Sequence, residues 1–397
     1  MKRPDVVVVG GAGHVGLPLS LVLAEAGHTV GILDIARDVL DTIAAGEMPF
    51  AERGGQELLR SLLPTGRLLF SDEASMVADV GVVIVVIGTP VDEFMNPAMT
   101  EFDRIVDELV DHLADDSLLI LRSTVYPGTT AHVRRRLEAR SASIRVAFCP
   151  ERIAEGQALE EIRTLPQIVG ADDEASRAQA TSLFESLGAR TVATTTAEAE
   201  LAKLFTNTWR YMKFAVANQF FMIAHEAGQD YNRILEAIRF EYPRALDLPG
   251  PGFAAGPCLL KDTMQLAAFT PDHFPIGQSA RQINEGLPGY LVTNMERRWG
   301  DLGGRRIGIL GMAFKGESDD PRESLSYKMR NLLTWAGAEV LTTDPYVDDD
   351  ALVPLEDVLE KAEILVVGAP HRRYREMDFP DTPIVDVWGV TPAGIQV

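Results

Sequence analysis

The sequence predicts an α/β protein with an N-terminal doubly wound Rossmann domain, a central helical region with one long helix, and a smaller C-terminal Rossmann-like domain. Strand-like apolar runs alternate with helical stretches near both ends of the chain. A glycine-rich turn separates the first apolar run from the first helix, and residues 189–227 contain neither Gly nor Pro. We place the domains at residues 1–194, 195–299 and 300–397.

Composition narrows the class of protein. The 397 residues, 46% of them hydrophobic, are enough for the cores of two or three domains. The formal charge of −21 and the pI near 4.8 argue against a nucleic acid or an anionic membrane surface as partner. No apolar run approaches membrane-spanning length, and two cysteines are too few for a disulfide framework. We therefore expect a soluble cytoplasmic protein, and the sequence indicates no metal site.

The first strand and helix have the pattern of a dinucleotide-binding turn. Residues 6–9 are four valines, typical of a buried parallel strand. Gly11, Gly13 and Gly16 follow with G-x-G-x-x-G spacing ahead of a predicted helix, and Asp34 ends the second predicted strand. The glycines let a pyrophosphate approach the helix N-terminus, while the acid can bind ribose hydroxyls and repel a 2′-phosphate. The turn predicts NAD rather than NADP as cofactor.

Polar loops follow the later strands of the same domain. Further strands are predicted at residues 82–87, 118–121 and 145–148. The loops after them are residues 88–90, 122–129 and 149–156. In an open α/β sheet, ligands bind beyond the carboxyl ends of the strands, so we expect these loops to line the cofactor cleft.

The central region begins with a long helix. Thr195 and Glu198 have capping-box spacing, and the helix predicted at 197–227 is roughly 45 Å long at 1.5 Å per residue. A helix of this length can join two domains and pack against a partner subunit. Lys203 and Asn207 lie four residues apart and share a face, which in a cleft could hold an oxyanion and elsewhere would be ordinary surface.

A stretch rich in Gly, Pro and Ala, residues 249–262, carries Cys258 close to Lys261 and Asp262. Such a run disfavours a helix, and its small residues let the backbone come close to a ligand. A neighbouring cation favours the nucleophilic thiolate. A structural turn with a buried cysteine is the alternative interpretation.

Beyond a charged, Gly-rich linker predicted at 296–306, residues 305–311 begin a second strand–turn–helix pattern that lacks a full G-x-G-x-x-G. Later strand-like runs lie at 338–343, 364–368 and 384–387. Lys315 and Arg322 put cations near the end of the first strand, which suits a phosphate group.

Together these features fit a two-step oxidation of an alcohol to an acid. The first hydride transfer gives an aldehyde, and a thiolate adds to it to form a hemithioacetal that can release a second hydride. Hydrolysis of the resulting thioester then gives the acid. The oxyanion needs a donor such as Lys203 or Asn207, and the attacking water needs a carboxylate base.

Six matches occur in the order of one known family. They are 11–18 (G-x-G-x-V-G-L-P), 89–90 with 123–128, 150–156 (P-E-x-x-x-E-G), 199–207 (A-E-L-x-K-L-x-x-N), 256–262 (G-x-C-x-x-K-D) and 314–324 (F-K…D-x-R-x-S). By these segments nearly the whole chain resembles the UDP-glucose/GDP-mannose dehydrogenase family. Members of that family use NAD to oxidise the 6-hydroxyl of a nucleotide sugar to a uronic acid, and they dimerise through the central helical region. The resemblance therefore implies a nucleotide-sugar substrate and a homodimer.

The resemblance also implies a role for each matched residue. Cys258 would be the nucleophile, and Lys203 and Asn207 would hold the substrate oxygen and then the oxyanion. The residues that would position water are Asp262, Thr124 and Glu155. The cofactor-binding residues would be Gly11, Gly13, His14, Val15, Gly16, Asp34, Thr89, Pro90, Ser123 and Thr124. The substrate-binding residues would be Glu151, Arg152, Lys203, Asn207, Arg244, Phe253, Gly256, Phe314, Lys315 and Arg322, with Arg244 the best match to an arginine that reaches across from a partner subunit.

The matched segments differ in the sugar that they favour. Residues 149–152 resemble the branch that oxidises UDP-N-acetylhexosamines, whereas Lys261 with Asp262 resembles the UDP-glucose branch. Residues 254–257 replace the usual Gly-Gly-Ser before the cysteine. We place a UDP-glucose or dTDP-glucose type of substrate first, and UDP-N-acetylglucosamine or UDP-N-acetylmannosamine as the alternative.

Two other classes of function stay open. A single-step hydroxyacid or hydroxyacyl dehydrogenase would share the first domain but would have no use for Cys258 or Lys315. A regulatory protein would bind NAD(H) and a nucleotide sugar without turnover. The intact Cys258, Lys203 and Asp262 argue against that second class.

Overall fold

The computed structural model describes residues 3–88, 99–140, 142–270 and 273–391. The chain divides into two compact units, Met1–Thr206 and Asn207–Val397. The three-domain division expected from the sequence stays a prediction.

The first unit is built on a mostly parallel sheet. Its strands are β1 (Val6–Val9), β2 (Val30–Leu33), β3 (Leu68–Ser71), β4 (Val82–Val85), β5 (Leu118–Leu121), β6 (Arg145–Phe148), β7 (Gln167–Gly170) and β8 (Thr191–Thr194). Among the described residues they lie in the order β3-β2-β1-β4-β5-β6-β7-β8. Only the β6–β7 pair, joined at Phe148 and Gly170, is antiparallel among these strands. The strand order reverses beside β1, which is where an α/β sheet opens a crevice for a ligand.

Helices cover both faces of this sheet. They are α1 (Gly16–Glu25), α2 (Arg37–Ala44), α3 (Gly55–Leu62), α4 (Met99–Val110), α5 (Thr129–Ala139), α6 (Ala158–Thr164) and α7 (Glu174–Glu185). Successive valines of β1 enter different cores: Val6 and Val8 pack with α1, whereas Val7 and Val9 belong to the core that includes α4 and α5. Burial on both faces explains why this strand is uniformly β-branched and apolar.

The helix α8 (Thr196–Glu226) leads into the second unit. Its start has the predicted reciprocal capping box: the Thr195 N–H donates to Glu198 Oε2 at 2.9 Å, and the Glu198 N–H donates to Thr195 Oγ1 at 3.3 Å. The helices α9 (Tyr231–Arg239), α10 (Leu259–Phe269) and α11 (Pro275–Trp299) follow. None of the helices in the described ranges combines the length and apolarity needed to cross a membrane.

A second, smaller parallel sheet completes the fold. Its strands are β9 (Arg306–Leu310), β10 (Glu339–Thr343), β11 (Ile364–Val367) and β12 (Ile384–Val385), and its helices are α12 (Leu325–Trp335), α13 (Leu355–Lys361) and α14 (Arg372–Glu376). The strands of this sheet lie in the order β10-β9-β11-β12. The predicted fold class is confirmed: a Rossmann-type sheet, a central helical region with a long helix, and a smaller parallel sheet.

The structure differs from the sequence prediction at two boundaries. The stretch that ends at Asp262 was expected to be free of helix, but α10 begins at Leu259, directly after Cys258. Helix formation there needs only that the Pro and Gly residues lie before the first turn, as they do. The predicted linker is also shorter, because α11 continues through its charged end to Trp299 and β9 begins at Arg306.

Candidate active site

The three glycines of the first turn are glycine for different reasons. A Cβ on Gly16 would lie 2.2 Å from the Gly10 carbonyl oxygen, and a Cβ on Gly11 would lie 2.7 Å from that of Val8. A Cβ on Gly13 would meet nothing closer than 3.7 Å. The packing of the chain itself therefore requires Gly11 and Gly16. Gly13 instead leaves open space beside the turn, at the position where a pyrophosphate would approach the backbone.

Asp34 is fixed in place but stays accessible. Its Oδ2 accepts a hydrogen bond from the Ala12 N–H at 3.0 Å, and its Oδ1 accepts one from the Ala36 N–H at 3.1 Å. The partly exposed carboxylate lines a cavity of about 370 Å³ together with Gly13 and apolar side chains that include Leu109. A carboxylate in the lining of a mostly apolar cavity of this size suits the ribose and adenine of NAD.

Of the other predicted cofactor residues, His14 and Val15 belong to the glycine turn, whereas Ser123 follows β5. The His14 ring stacks on the Phe50 ring with centroids 4.1 Å apart, and Val15 is the residue before α1. Ser123 is buried after β5, and its hydroxyl lies 3.4 Å from the Val85 carbonyl oxygen. Thr89 and Pro90 lie outside the described residues.

Glu151, a predicted substrate-binding residue, is buried in an ion pair. Its Oε2 accepts a hydrogen bond at 3.0 Å from Nε of Arg122, which is itself fully buried. Its Oε1 accepts hydrogen bonds from the N–H groups of Arg152 at 2.7 Å and Ile153 at 3.0 Å. The Arg152 guanidinium in turn donates to the Pro166 carbonyl. These contacts fix the loop after β6 from within, so its conformation depends on Arg122, to which the sequence argument gave no role.

A second carboxylate anchors the far end of that loop. Glu52 accepts hydrogen bonds from the N–H groups of Gly156 at 3.1 Å and Leu159 at 3.2 Å. Glu155, which would position water, is partly buried directly before Gly156. Since Phe50 stacks on His14 only two residues before Glu52, the segment from 50 to 52 connects the glycine turn to the Glu155 loop. No local pattern in the sequence predicts this connection.

Glu200 anchors the loop that carries Ser123 and Thr124. Its carboxylate accepts hydrogen bonds from the N–H groups of Gly128 at 2.6 Å and Thr130 at 2.7 Å, and from the Thr130 hydroxyl at 2.6 Å. This buried acid therefore caps the start of α5. It belongs to a segment that sequence reasoning had already matched, which is the signal by which its importance could have been found.

The two cysteines differ in burial, which predicts a difference in the reactivity of their thiols. Complete burial raises the pKa of the Cys149 thiol to about 12 and makes it a poor nucleophile. Cys258 is exposed and is the residue immediately before the first turn of α10. The N–H groups at a helix N-terminus stabilise a thiolate, so this position favours the reactive form.

Two polar side chains meet beside Cys258. The Asn207 Nδ2 donates to Asp262 Oδ2 at 2.5 Å, and the Asp262 N–H donates to the Cys258 carbonyl at 2.9 Å. Both side chains are buried, and Lys261 Nζ lies 3.8 Å from the Asp262 carboxylate. Lys203 is also buried, one turn before Asn207 on α8. In the second unit, α8 and α10 thus bring an amide, a carboxylate and the thiol-bearing residue together.

The loop that carries Cys258 also packs against the loop that follows β9. Gly256 has a φ of +96°, and a Cβ there would lie 2.6 Å from the Phe314 ring. Lys315 Nζ lies 5.4 Å from the centroid of the same ring. Arg322 Nη2 lies 2.6 Å from the carboxylate of Asp320. The predicted sugar-nucleotide residues 314, 315 and 322 therefore lie on one loop of the second Rossmann-like domain. That loop contacts Gly256, which is two residues before Cys258 in the chain.

Two other predicted substrate residues have different surroundings. Phe253 is buried, with its ring edge-on to that of Trp388 at a centroid distance of 6.3 Å. Arg244 is exposed in a short 3₁₀ turn, and its guanidinium lies over the Tyr242 ring at 5.6 Å. Their roles in binding stay predictions.

Three family models match nearly the full length of the chain. All belong to the UDP-glucose/GDP-mannose dehydrogenase family: the NAD binding domain matches residues 5–188, the central domain 197–286 and the UDP binding domain 308–392. The chain belongs to this family. It is an NAD-dependent nucleotide-sugar dehydrogenase, and the predicted family and cofactor are confirmed.

Individual members of the family are similar over most of their length. A UDP-N-acetyl-D-mannosamine dehydrogenase of Pyrococcus horikoshii is 30% identical over 386 residues, which cover 94% of this chain and 91% of that protein. An NDP-N-acetyl-D-galactosaminuronic acid dehydrogenase of Ralstonia solanacearum is 27% identical, covering 94% of this chain and 92% of that protein. The solved structure of a UDP-glucose dehydrogenase from Pyrobaculum islandicum has a TM-score of 0.90 at 28% identity, covering 97% and 94% of the two chains.

The glycine turn allows cofactor binding to be separated from folding. We expect the Gly13→Ala protein to fold normally but to bind NAD about tenfold or more weakly, a loss of about 1.4 kcal/mol or more. The reason is that the new methyl group occupies the position of the pyrophosphate. Gly16→Ala should instead lower the melting temperature, because its Cβ meets the Gly10 carbonyl. Calorimetric NAD titration and thermal unfolding of both variants measure these effects. Unchanged NAD affinity in Gly13→Ala would contradict this account of the turn.

Proposed function

We propose that this dehydrogenase oxidises the C6 hydroxyl of a UDP-N-acetylhexosamine to the uronic acid, in two steps that use Cys258. The observation that carries the proposal is the exposed Cys258 at the start of α10, beside the hydrogen-bonded pair of Asn207 and Asp262. A single-step alcohol dehydrogenase has no use for such a thiol, whereas oxidation to an acid does.

The chemistry assigns one task to each group. When bound, NAD would supply the hydride acceptor for both oxidations of C6. Between them the Cys258 thiolate bonds to the aldehyde carbon, and Lys203 with Asn207 stabilises the oxyanion that forms. Asp262 then orients a water for attack on the thioester, and the C–S bond breaks to restore the thiolate. One sugar nucleotide, two NAD⁺ and one water thus give one uronate, two NADH and three protons.

The choice of sugar rests on the relatives and on one segment of the chain. The Pyrococcus and Ralstonia relatives are named for N-acetyl sugars, and residues 149–152 resemble the branch that oxidises them. We therefore place the N-acetyl sugar ahead of the glucose that the sequence argument put first. The named UDP-glucose dehydrogenase from Pyrobaculum keeps UDP-glucose as the second candidate.

A substrate panel tests the proposal. The full chain is incubated with NAD and with UDP-N-acetylmannosamine, UDP-N-acetylglucosamine, UDP-glucose or dTDP-glucose, and both NADH and the acid are counted. We expect the highest kcat/KM with a UDP-N-acetylhexosamine and two NADH per sugar consumed. A ratio of one would refute the two-step reaction, a preference for glucose would refute the choice of sugar, and no turnover with any of them would favour a regulatory protein.

We also propose that the protein is a homodimer through α8. Large apolar side chains at spacings of seven, four and three residues are exposed along one face of this helix, namely Trp209, Val216, Phe220 and Ile223. A continuous apolar face of this kind marks a protein interface. Nothing in the sugar chemistry requires these side chains, so association is the simplest reason for them.

Light scattering with size-exclusion chromatography tests the interface. We expect a mass twice the 43.4 kDa of one chain, falling to 43.4 kDa in a Trp209→Glu/Phe220→Glu variant, because two carboxylates would have to be buried. The matched control is Trp335→Glu, which alters an exposed tryptophan of α12 and should leave the mass unchanged. A 43.4 kDa species for the unaltered chain at micromolar concentration would refute the dimer.

A further inference from the structure

A buried histidine lies next to the carboxyl end of β10 in the second Rossmann-like sheet. His371 precedes α14, and neither its ring nor the Asp344 carboxylate is exposed. The two are joined by a hydrogen bond of 3.0 Å between His371 Nε2 and Asp344 Oδ2. The rings of Tyr374 and Tyr346 pack against the imidazole at centroid distances of 5.5 Å and 5.1 Å.

Asp344 is the counterpart of Asp34 in the first sheet. Each acid directly follows the strand beside the central one and accepts backbone hydrogen bonds from the turn after that central strand. For Asp344 Oδ2 the donors are the N–H groups of Met312 at 2.6 Å and Ala313 at 2.9 Å. Asp34 keeps an accessible side chain, but Asp344 is closed off by His371. In the second domain this acid is therefore unavailable to a ribose and serves to hold the turn.

The other ring nitrogen of His371 holds the same loop further along. The Glu317 N–H donates to His371 Nδ1 at 3.0 Å, which leaves the proton of a neutral ring on Nε2, facing Asp344. Glu317 has a φ of +54°, a strained conformation for a residue with a side chain, and it needs such an outside contact to persist. Next to it, a Cβ on Gly316 would lie 2.6 Å from the Pro370 carbonyl, so the loop and the histidine segment are in close contact.

These contacts hold the backbone before and after Lys315. Residues 312 and 313 are held through Asp344 and residue 317 is held directly, so His371 fixes the backbone on both sides of the lysine. Burial alone would raise the pKa of Asp344, but hydrogen bonds from His371 and from backbone N–H groups keep it below its ordinary value. The carboxylate therefore stays charged and accepts all three donors on one oxygen.

We propose that His371 is a positioning residue for the nucleotide sugar: it fixes the 312–317 loop so that Lys315 is presented to the diphosphate. The inference rests on the proposed function for the identity of the ligand. It predicts a defect confined to the nucleotide-sugar site, since the contacts of His371 described above are all made with residues of the second Rossmann-like domain.

Two substitutions each remove one of the two hydrogen bonds that the His371 ring makes with Asp344 and Glu317. In His371→Gln the amide nitrogen can reach Asp344 but no acceptor remains for the Glu317 N–H, whereas in His371→Asn the amide oxygen can accept from Glu317 but the side chain no longer reaches Asp344. The matched control is Tyr374→Phe. Tyr374 packs on the His371 ring, and its buried hydroxyl makes no hydrogen bond within the part of the chain described here.

The test is calorimetric titration of each full-length protein with UDP and separately with NAD, together with KM for both substrates. We expect UDP affinity to fall about tenfold or more in both His371 variants, with KM for the sugar nucleotide rising and NAD affinity unchanged. Tyr374→Phe should bind both ligands like the unaltered chain. The decrease in UDP affinity relative to the decrease in NAD affinity distinguishes a positioning role from a general structural role.

Each other outcome has a definite meaning. If both His371 variants fold and bind UDP as tightly as the unaltered chain, the proposed role of His371 is overturned. The proposed function is not affected by that result. Equal losses of UDP and NAD affinity with a lower melting temperature would also overturn the role of His371, in favour of a general structural role. Absence of UDP binding by the unaltered chain would instead refute the proposed function.

Discussion

Cys258→Ser is expected to lower uronic acid formation by roughly 10³-fold or more. A serine hydroxyl is far less ionised than a thiol near neutral pH, and the helix N-terminus that stabilises a thiolate at this exposed position cannot make up that difference. The serine oxygen would also form an ester, and an ester is hydrolysed less readily than a thioester. The measurement is mass-spectrometric detection of the acid together with the NADH formed per sugar.

The second cysteine supplies the control for this variant. Cys149→Ala removes a completely buried thiol and is expected to keep turnover, with a lower melting temperature from the small cavity that it leaves. Iodoacetamide should modify Cys258 in the native protein and reach Cys149 only after unfolding, because of their different exposure. Acid formation at the normal rate in Cys258→Ser would eliminate the thioester route.

Local patterns in the sequence were enough to predict the glycine turn and the long helix. Each depends on residues within a few positions of one another, such as the capping pair of Thr195 and Glu198. The composition of residues 249–262 does not predict the start of α10, because Gly and Pro disfavour a helix but end before Leu259. A breaker restricts only the turn that contains it.

The contacts that hold the site together could not be predicted in the same way. Glu52 and Gly156 are 104 residues apart in the chain, and His371 and Glu317 are 54 apart. No periodicity or local propensity connects such pairs, because only the strand order of the sheet brings them together. Arg122 was the partial exception: a charged residue at the end of an apolar strand signals a buried partner, although not that the partner is Glu151.

A sequence motif also does not show why each of its residues is required. The pattern G-x-G-x-x-G treats its three glycines alike, and the sequence assigned all of them to cofactor binding. The structure separates Gly16, where the chain itself leaves no room for a Cβ, from Gly13, where it does. Distances to the backbone of the turn were needed to make that distinction.

Asp262→Asn is expected to slow steady-state turnover by about 10²- to 10⁴-fold by removing the carboxylate that would act on water. The substitution preserves shape, and the new amide oxygen can still accept the hydrogen bond from Asn207, now 2.5 Å long. Oxidation as far as the thioester should continue, because the Cys258 thiolate and the NAD site are unaltered. Hydrolysis would then limit the rate, and acylated enzyme would accumulate.

Stopped-flow absorbance and intact mass spectrometry distinguish this result from a general loss of activity. The variant should release a rapid burst of two NADH per active site, then turn over slowly, and carry a sugar-derived adduct on Cys258. Asp247→Asn, which removes one charge from an exposed side chain of the same unit, should show neither effect. Normal turnover in Asp262→Asn would show that another group acts on the water. Slow turnover with no burst and no adduct would mean that Asp262 is needed before the thioester forms, since hydrolysis can limit the rate only after the thiol has been acylated.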